Sequence, residues 1–189
     1  MFSKSIVALL ALVTMVDTAF GAPISYKIDS HHTQSIFSWN HFGFSNPSAN
    51  FNDIQGSIVF DSAEPTKSSV DVTIATASID THVPDLDKEL KEGKFLDATK
   101  FPTITFKSSR VEGISGQNKF KVTGDLSLHG VTKPVVLDAV LNKVVGENIG
   151  FNATTTLKRA EFGIDAYLPN ISNEIKVTIS TEASIPKVK

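Results

Sequence analysis

Alternation of apolar residues on both sides of one tight turn constrains the fold more than any other feature. In residues 120–128 and 135–141, apolar side chains recur at alternate positions. This period of two is typical of a strand with one buried face. His129-Gly130 separates the two runs, and glycine supplies the positive φ that a short hairpin turn often needs. Pro134 cannot donate an N–H, so we expect it near the start of a strand or at an edge.

The rest of the chain repeats this design. We therefore predict an all-β protein of about eight antiparallel strands. A sandwich and a closed barrel both fit that number of strands. The barrel is favoured because nearly every strand has an apolar face and none has the charges and prolines of a blunted edge strand. Further alternating or apolar segments lie at residues 26–29, 35–42, 54–60, 70–74, 104–106, 149–157 and 175–183.

One segment departs from the β pattern. At residues 84–92, Leu86 and Leu90 are four positions apart among charged residues. This spacing predicts a short amphipathic helix, with Pro84 in its first turn and Gly93 just past its end. Phe95 follows directly and is expected to dock the helix onto the sheet.

The first 21 residues have the pattern of a secretory signal peptide. Lys4 precedes an apolar run at residues 6–16, and Ala19 and Gly21 are the small residues expected before a cleavage site. The run is shorter than the roughly 20 residues of a membrane-spanning helix. We therefore expect residues 1–21 to be removed and residues 22–189 to form one exported domain without stable membrane insertion. An uncleaved anchor is the alternative.

Composition excludes several functions. Eighteen basic and 20 acidic residues give a net charge of −2, which argues against a nucleic-acid partner. The chain has no cysteine, so disulfides, thiol nucleophiles and thiolate metal sites are excluded. It has 13 Phe but two Tyr and one Trp. Because Phe has no polar group, many of these rings should be buried or face an apolar ligand.

Five segments together resemble the YceI family of exported, lipocalin-like proteins. The resemblance extends in order from about Tyr26 to Pro186. It implies an eight-stranded antiparallel lipocalin-like β-barrel that holds a long isoprenoid or similar amphiphilic lipid in its lumen. It also implies a homodimer and, together with the signal peptide, a periplasmic location. The segments that carry it are Asp29–His41, Phe95–Phe106, Gly124–Val135, Arg159–Gly163 and Asn173-Glu174 with the alternating residues that follow.

The inward positions predict a lumen that is either empty enough for a lipid or filled by its own side chains. An eight-stranded barrel is just wide enough for either. Small inward residues such as Gly56 and Gly124 should leave volume. The pattern alone leaves both alternatives open, and the family resemblance favours a ligand. The predicted lumen residues are Phe37, Trp39, Ile58, Phe60, Ile74, Phe106, Phe120, Val122, Leu126 and Phe151.

Two polar residues are candidates for contact with a lipid head group. His41 shares the predicted face of Trp39 near a strand end; the alternative, which the lack of a partner for metal work favours, is a capped, hydrogen-bonded histidine. Arg159 could bind a pyrophosphate bidentately, or form a structural ion pair with Glu161 or Asp165 at a barrel rim. No spacing of histidines predicts a metal site.

The leading hypothesis is non-enzymatic binding, transport or storage of a lipid. No nucleophile elbow, phosphate-binding glycine loop or zinc-protease pattern occurs in the sequence. No cofactor is required, although a bound polyisoprenoid or isoprenoid quinone-type lipid is expected. The rival hypothesis is an enzyme or antioxidant factor that acts on a bound quinone head group.

Overall fold

The polypeptide closes on itself through backbone hydrogen bonds. The computed structural model describes residues 22–114 and 116–187. Within them the strands are β1 (Ile24–Ile28), β2 (Gln34–Ser38), β3 (Ser48–Phe51), β4 (Ile54–Phe60), β5 (Ser69–Ala75), β6 (Ile79–Asp80), β7 (Thr103–Ile114), β8 (Lys119–Leu128), β9 (Val131–Val145), β10 (Asn148–Lys158) and β11 (Glu174–Ser184). The α-helix is α1 (Pro84–Leu90).

The strands form a closed antiparallel barrel with eight walls. The hydrogen-bonded order is β1-β4-β5-β7-β8-β9-β10-β11, and β11 returns to β1 through the pairs Lys27↔Ser184 and Ile28↔Ala183. Three of the eight walls consist of two strands each, with an interruption between them: β1 with β2, β3 with β4, and β5 with β6. Each of the other five walls is a single strand. The prediction of an eight-stranded antiparallel barrel with one short helix is confirmed.

Local polar chemistry interrupts the first wall between β1 and β2. Asp29 caps a 3₁₀ turn at Ser30–His32 by accepting a hydrogen bond from the His31 N–H at 2.9 Å. Its other oxygen lies 2.8 Å from Nδ1 of His32, and this hydrogen bond lowers the pKa of Asp29. Both histidines are exposed and lie outside any strand. The strand expected at residues 35–42 is also shorter than predicted, since β2 ends at Ser38.

The β8–β9 hairpin has the predicted turn. His129 and Gly130 both have positive φ, 51° and 74°, and Leu128 pairs with Val131 across them. Positive φ at both central residues gives a turn whose twist matches that of the strands. Nδ1 of His129 donates to the Phe162 carbonyl oxygen at 3.0 Å, which makes this histidine structural. Pro134 faces solvent in the part of β9 that precedes its pairing with β10, as expected for an edge position.

Helix α1 covers one end of the barrel. Asp87 accepts hydrogen bonds from the N–H and hydroxyl of Thr81, both at 2.6 Å, which fixes the chain entering the helix. Leu90 is buried, Leu86 is half-buried, and the turn after the helix brings the buried Phe95 beneath it. We call this end of the barrel the mouth, and the opposite end the floor.

Arg159 organises the segment 164–172 at the mouth. It is 6% exposed, and its guanidinium donates hydrogen bonds to four main-chain carbonyl oxygens at 2.8–3.1 Å. The acceptors belong to Ser172, Ile164, Ala166 and Ile171. Burial lowers the pKa of Arg159, and nearby Asp165 acts in the opposite direction. The arginine therefore holds a loop in place through carbonyls, and the described residues contain no ion pair of Arg159 with Glu161 or Asp165.

Gly124 is required by the close approach of a neighbouring strand. A Cβ at this position would lie 2.5 Å from the Lys107 carbonyl oxygen and 2.6 Å from Cζ of Phe106. The Phe106 ring therefore occupies the space that the glycine leaves. The expectation that this small residue opens lumen volume is wrong at Gly124, because the ring of the next wall fills the gap.

Gly124→Ala should lower the free energy of unfolding by about 1–3 kcal/mol, because the added methyl displaces a main-chain oxygen and a ring. The matched control is Gly150→Ala on β10, where the nearest atom would be 3.7 Å away. Denaturant unfolding followed by circular dichroism measures both. Equal stability of the two variants would contradict the packing described for Phe106.

Arg159→Lys should cost about 2–4 kcal/mol of stability, because one ammonium cannot reach four diverging carbonyls and leaves several without a donor. Arg110→Lys is the control, since that side chain is 68% exposed and pairs with Glu112 at 2.8 Å. Its change should stay within about 0.5 kcal/mol. A comparable loss in both variants would mean that the carbonyl contacts of Arg159 contribute little.

Candidate functional site

The lumen of the barrel is the candidate site. It contains a cavity of about 730 Å³, which lies within the 300–1,000 Å³ typical of small-molecule sites. The inward side chains of all eight walls line it, together with Leu86 and Leu90 of α1. Alternate residues of each wall point inward, and the cavity is the space that remains between them.

Every residue that the sequence predicts for the lumen lies on the lining of this cavity. Some, such as Leu126 and Phe151, are only half-buried, because part of each side chain faces the cavity. Contact with a ligand stays a prediction for all of them. The set is Phe37, Trp39, Ile58, Phe60, Ile74, Phe106, Phe120, Val122, Leu126 and Phe151.

Two of the few polar side chains in the wall bond to each other. The hydroxyls of Thr33 and Thr181 face the lumen and hydrogen-bond to each other at 2.9 Å. Among the described residues, every side-chain nitrogen or oxygen that is shut off from both solvent and cavity has a hydrogen-bond partner. A polar ligand group buried in this mostly apolar lining would meet few partners and would be costly to desolvate. The lumen therefore suits the apolar part of a ligand.

The two predicted head-group residues both lie at the mouth, but they differ in exposure and in hydrogen bonding. His41 is exposed, its backbone bridges Ser45 and Ile171, and its ring packs edge-on against Phe42 at 4.8 Å. Arg159 lines the cavity, but its carbonyl contacts use four of its five N–H donors. A head-group contact stays a prediction for both, and His41 is the more accessible.

A polar network at the mouth could not be predicted from the sequence. Nζ of Lys94 donates to Oε1 of Glu89 at 2.9 Å and to the Tyr167 hydroxyl at 3.3 Å. These hydrogen bonds, first Glu89 and then Tyr167, raise the pKa of Lys94 to about 12. Glu89 and Tyr167 both line the cavity. Tyr167 lies 73 residues from Lys94, so no local spacing could have indicated the contact.

Two further features of the described residues bear on chemistry. They contain no group of three or more His, Asp or Glu side chains that could hold a metal ion. None of their helices is long and apolar enough to cross a bilayer. The predicted signal peptide, residues 1–21, lies outside the part of the chain that the structure describes.

Sequence relatives span the whole chain. The model of the YceI-like domain matches residues 26–183. A UPF0312 protein of Azotobacter vinelandii is 36% identical over 96% of this chain and 98% of its own length. A UPF0312 protein of Pseudomonas aeruginosa is 38% identical over 95% of this chain and 97% of its own length.

Solved structures show the same barrel. The Campylobacter jejuni YCEI protein superposes with a TM-score of 0.72 at 34% identity, covering 78% of this chain and 90% of that one. Burkholderia cenocepacia BcnA gives 0.78 at 21% identity over 83% and 99% of the two chains, which shows a shared fold. A polyisoprenoid binding domain from Saccharophagus degradans gives 0.69 at 16% identity over 85% and 98%. With the family model matching residues 26–183, these findings show that the chain belongs to the YceI-like family.

Proposed function

We propose that the protein binds the tail of a long-chain isoprenoid or related amphiphilic lipid in its lumen, and transports or stores that lipid without changing it. One observation carries the proposal. The cavity is lined almost throughout by apolar side chains, and two of the few hydroxyls in its wall, those of Thr33 and Thr181, bond to each other. The fold shared with a polyisoprenoid binding domain supports the same ligand class.

Burial of the tail would drive binding. Removing apolar surface from water contributes about 25 cal/mol per Å², or about 0.8 kcal/mol per methylene, before the cost of ordering the tail. A five-carbon isoprene unit is therefore worth up to about 4 kcal/mol before that cost. The head group would remain at the mouth, where Lys94, Glu89, Tyr167 and His41 supply both charge signs and hydroxyl or imidazole groups.

The cellular setting is also a proposal. A cleaved signal peptide at residues 1–21 would deliver the chain to the periplasm, where an amphiphile needs a carrier to cross water. Homodimer formation, which the family resemblance implies, belongs to the same proposal. Neither alters the argument for the lumen, because each lumen is built by one chain.

Affinity should depend on tail length more than on head group. Trp39 is the only tryptophan of the chain, is 7% exposed and lines the cavity, so its fluorescence reports occupancy. Titration with prenyl alcohols of increasing length should raise the affinity by at least about tenfold per isoprene unit until the cavity is full. Exchanging the alcohol for a diphosphate or a quinone should change it less, and the recovered lipid should be chemically intact.

Matched variants complete the titration. Leu126→Asp places a carboxylate in the apolar lumen and should abolish binding. Val136→Asp, on the neighbouring strand at a site 45% exposed, should bind as the wild type does. Strong head-group selectivity with chemical turnover, lost in His41→Ala, would instead favour an enzyme that acts on a bound quinone.

A further inference from the structure

Three phenylalanine rings meet at the floor of the cavity. Phe60 is the last residue of β4, Phe120 is the second residue of β8, and Phe151 lies near the start of β10. These strand ends lie at the end of the barrel remote from α1. The pairs Ile24↔Phe60 and Phe120↔Gly113 place the first two beside the start of β1 and the end of β7.

The rings form a closed triangle across the lumen. Their centroids are 5.7 Å (Phe60–Phe120), 5.6 Å (Phe60–Phe151) and 6.3 Å (Phe120–Phe151) apart, and all three pairs are edge-to-face. This geometry is the favoured one for aromatic pairs and adds to the stability from burial. Each ring also lines the cavity. The interior of an eight-stranded barrel is narrow, so three touching rings occupy much of its cross-section at this level.

A structured loop supports the triangle from below. The side chain of Asp61, which is 4% exposed, accepts hydrogen bonds from the N–H groups of Ala63 and Glu64 at 2.9 and 2.8 Å. This holds Pro65 over Gly113, where an added Cβ would lie 3.0 Å from Cγ of Pro65 and 3.8 Å from Phe120. The loop therefore packs beside Gly113 and Phe120 at this end of the barrel.

We propose that the Phe60–Phe120–Phe151 triangle determines the longest lipid tail that the lumen accepts. This inference rests on the proposed function and adds the residues that set tail-length specificity. β8 advances eight residues from Leu128 near the mouth to Phe120, which is about 26 Å along the strand and about 20 Å along the axis of a tilted barrel. A straight tail that reaches the triangle stops there, and additional isoprene units stay outside or fold back.

Two substitutions should move this limit in opposite directions. Phe151→Ala removes one of the three rings, and with it two of the three ring contacts. It should raise the tail length at which affinity stops rising by at least one isoprene unit. Ala153 points inward two residues nearer the mouth on the same strand and is 8% exposed. Ala153→Leu should shift the limit downward by about one isoprene unit. The measurement is the Trp39 titration with prenyl alcohols of increasing length.

Phe37→Ala is the control at the other end of the cavity. Phe37 stacks on Trp39 and Phe51, at centroid distances of 5.8 and 5.4 Å near the mouth. Its removal should weaken binding of every tail by a similar factor and leave the limiting length unchanged. Circular dichroism establishes that each variant is folded, and Phe151→Leu replaces Phe151→Ala if the alanine variant does not fold.

The outcomes separate this inference from the proposed function. If wild-type affinity does not depend on tail length, the proposed function fails. If the wild type shows a limiting length that is the same in folded Phe151→Ala or Phe151→Leu and in Ala153→Leu, the function stands and the triangle is not the limit. A shift in Phe37→Ala as large as that in the Phe151 variant would also overturn the inference.

Discussion

Closure of the backbone ladder between β1 and β11 is the constraint on which the rest of the structure depends. Side chains alternate between the two faces of a strand, so closing the sheet turns one face of every wall into a single lumen. The apolar alternation along the walls then makes this lumen apolar. Because the lining is almost wholly apolar and the hydroxyls of Thr33 and Thr181 bond to each other, the wall offers little to a polar ligand group. The alternation of apolar residues along the strands is therefore the reason that an apolar ligand tail fits the lumen.

The two ends of the barrel differ in a way that gives the ligand a direction. At the floor, three aromatic rings narrow the lumen beside the loop held by Asp61. At the mouth, helix α1, the loop held by Arg159 and the exposed Phe42 surround the cavity, and Lys94 joins Glu89 to Tyr167. An amphiphile with an apolar tail and a polar head matches this asymmetry only with its tail inward.

Local sequence patterns predicted the strands and the helix well. They could not predict contacts between residues that are distant in the sequence. The alternation and the His129-Gly130 turn indicated the strands and their inward faces, and the Leu86/Leu90 spacing indicated the helix, which ends two residues before its expected limit. The carbonyl contacts of Arg159 and the Lys94 network depend on tertiary arrangement, so the sequence suggested an ion pair for the first and nothing for the second. The volume of the cavity could not be predicted from the sequence either, because the Phe106 ring fills the space that Gly124 leaves.

Native mass spectrometry of the purified protein, followed by organic extraction of the sample, tests the central claim most directly. The account predicts a species heavier than the mature chain by one lipid, and an extracted molecule with an intact prenyl-type tail. The lipid-free mass alone, both as purified and after incubation with a long prenyl alcohol, would contradict the claim that the lumen is a binding site for lipid tails.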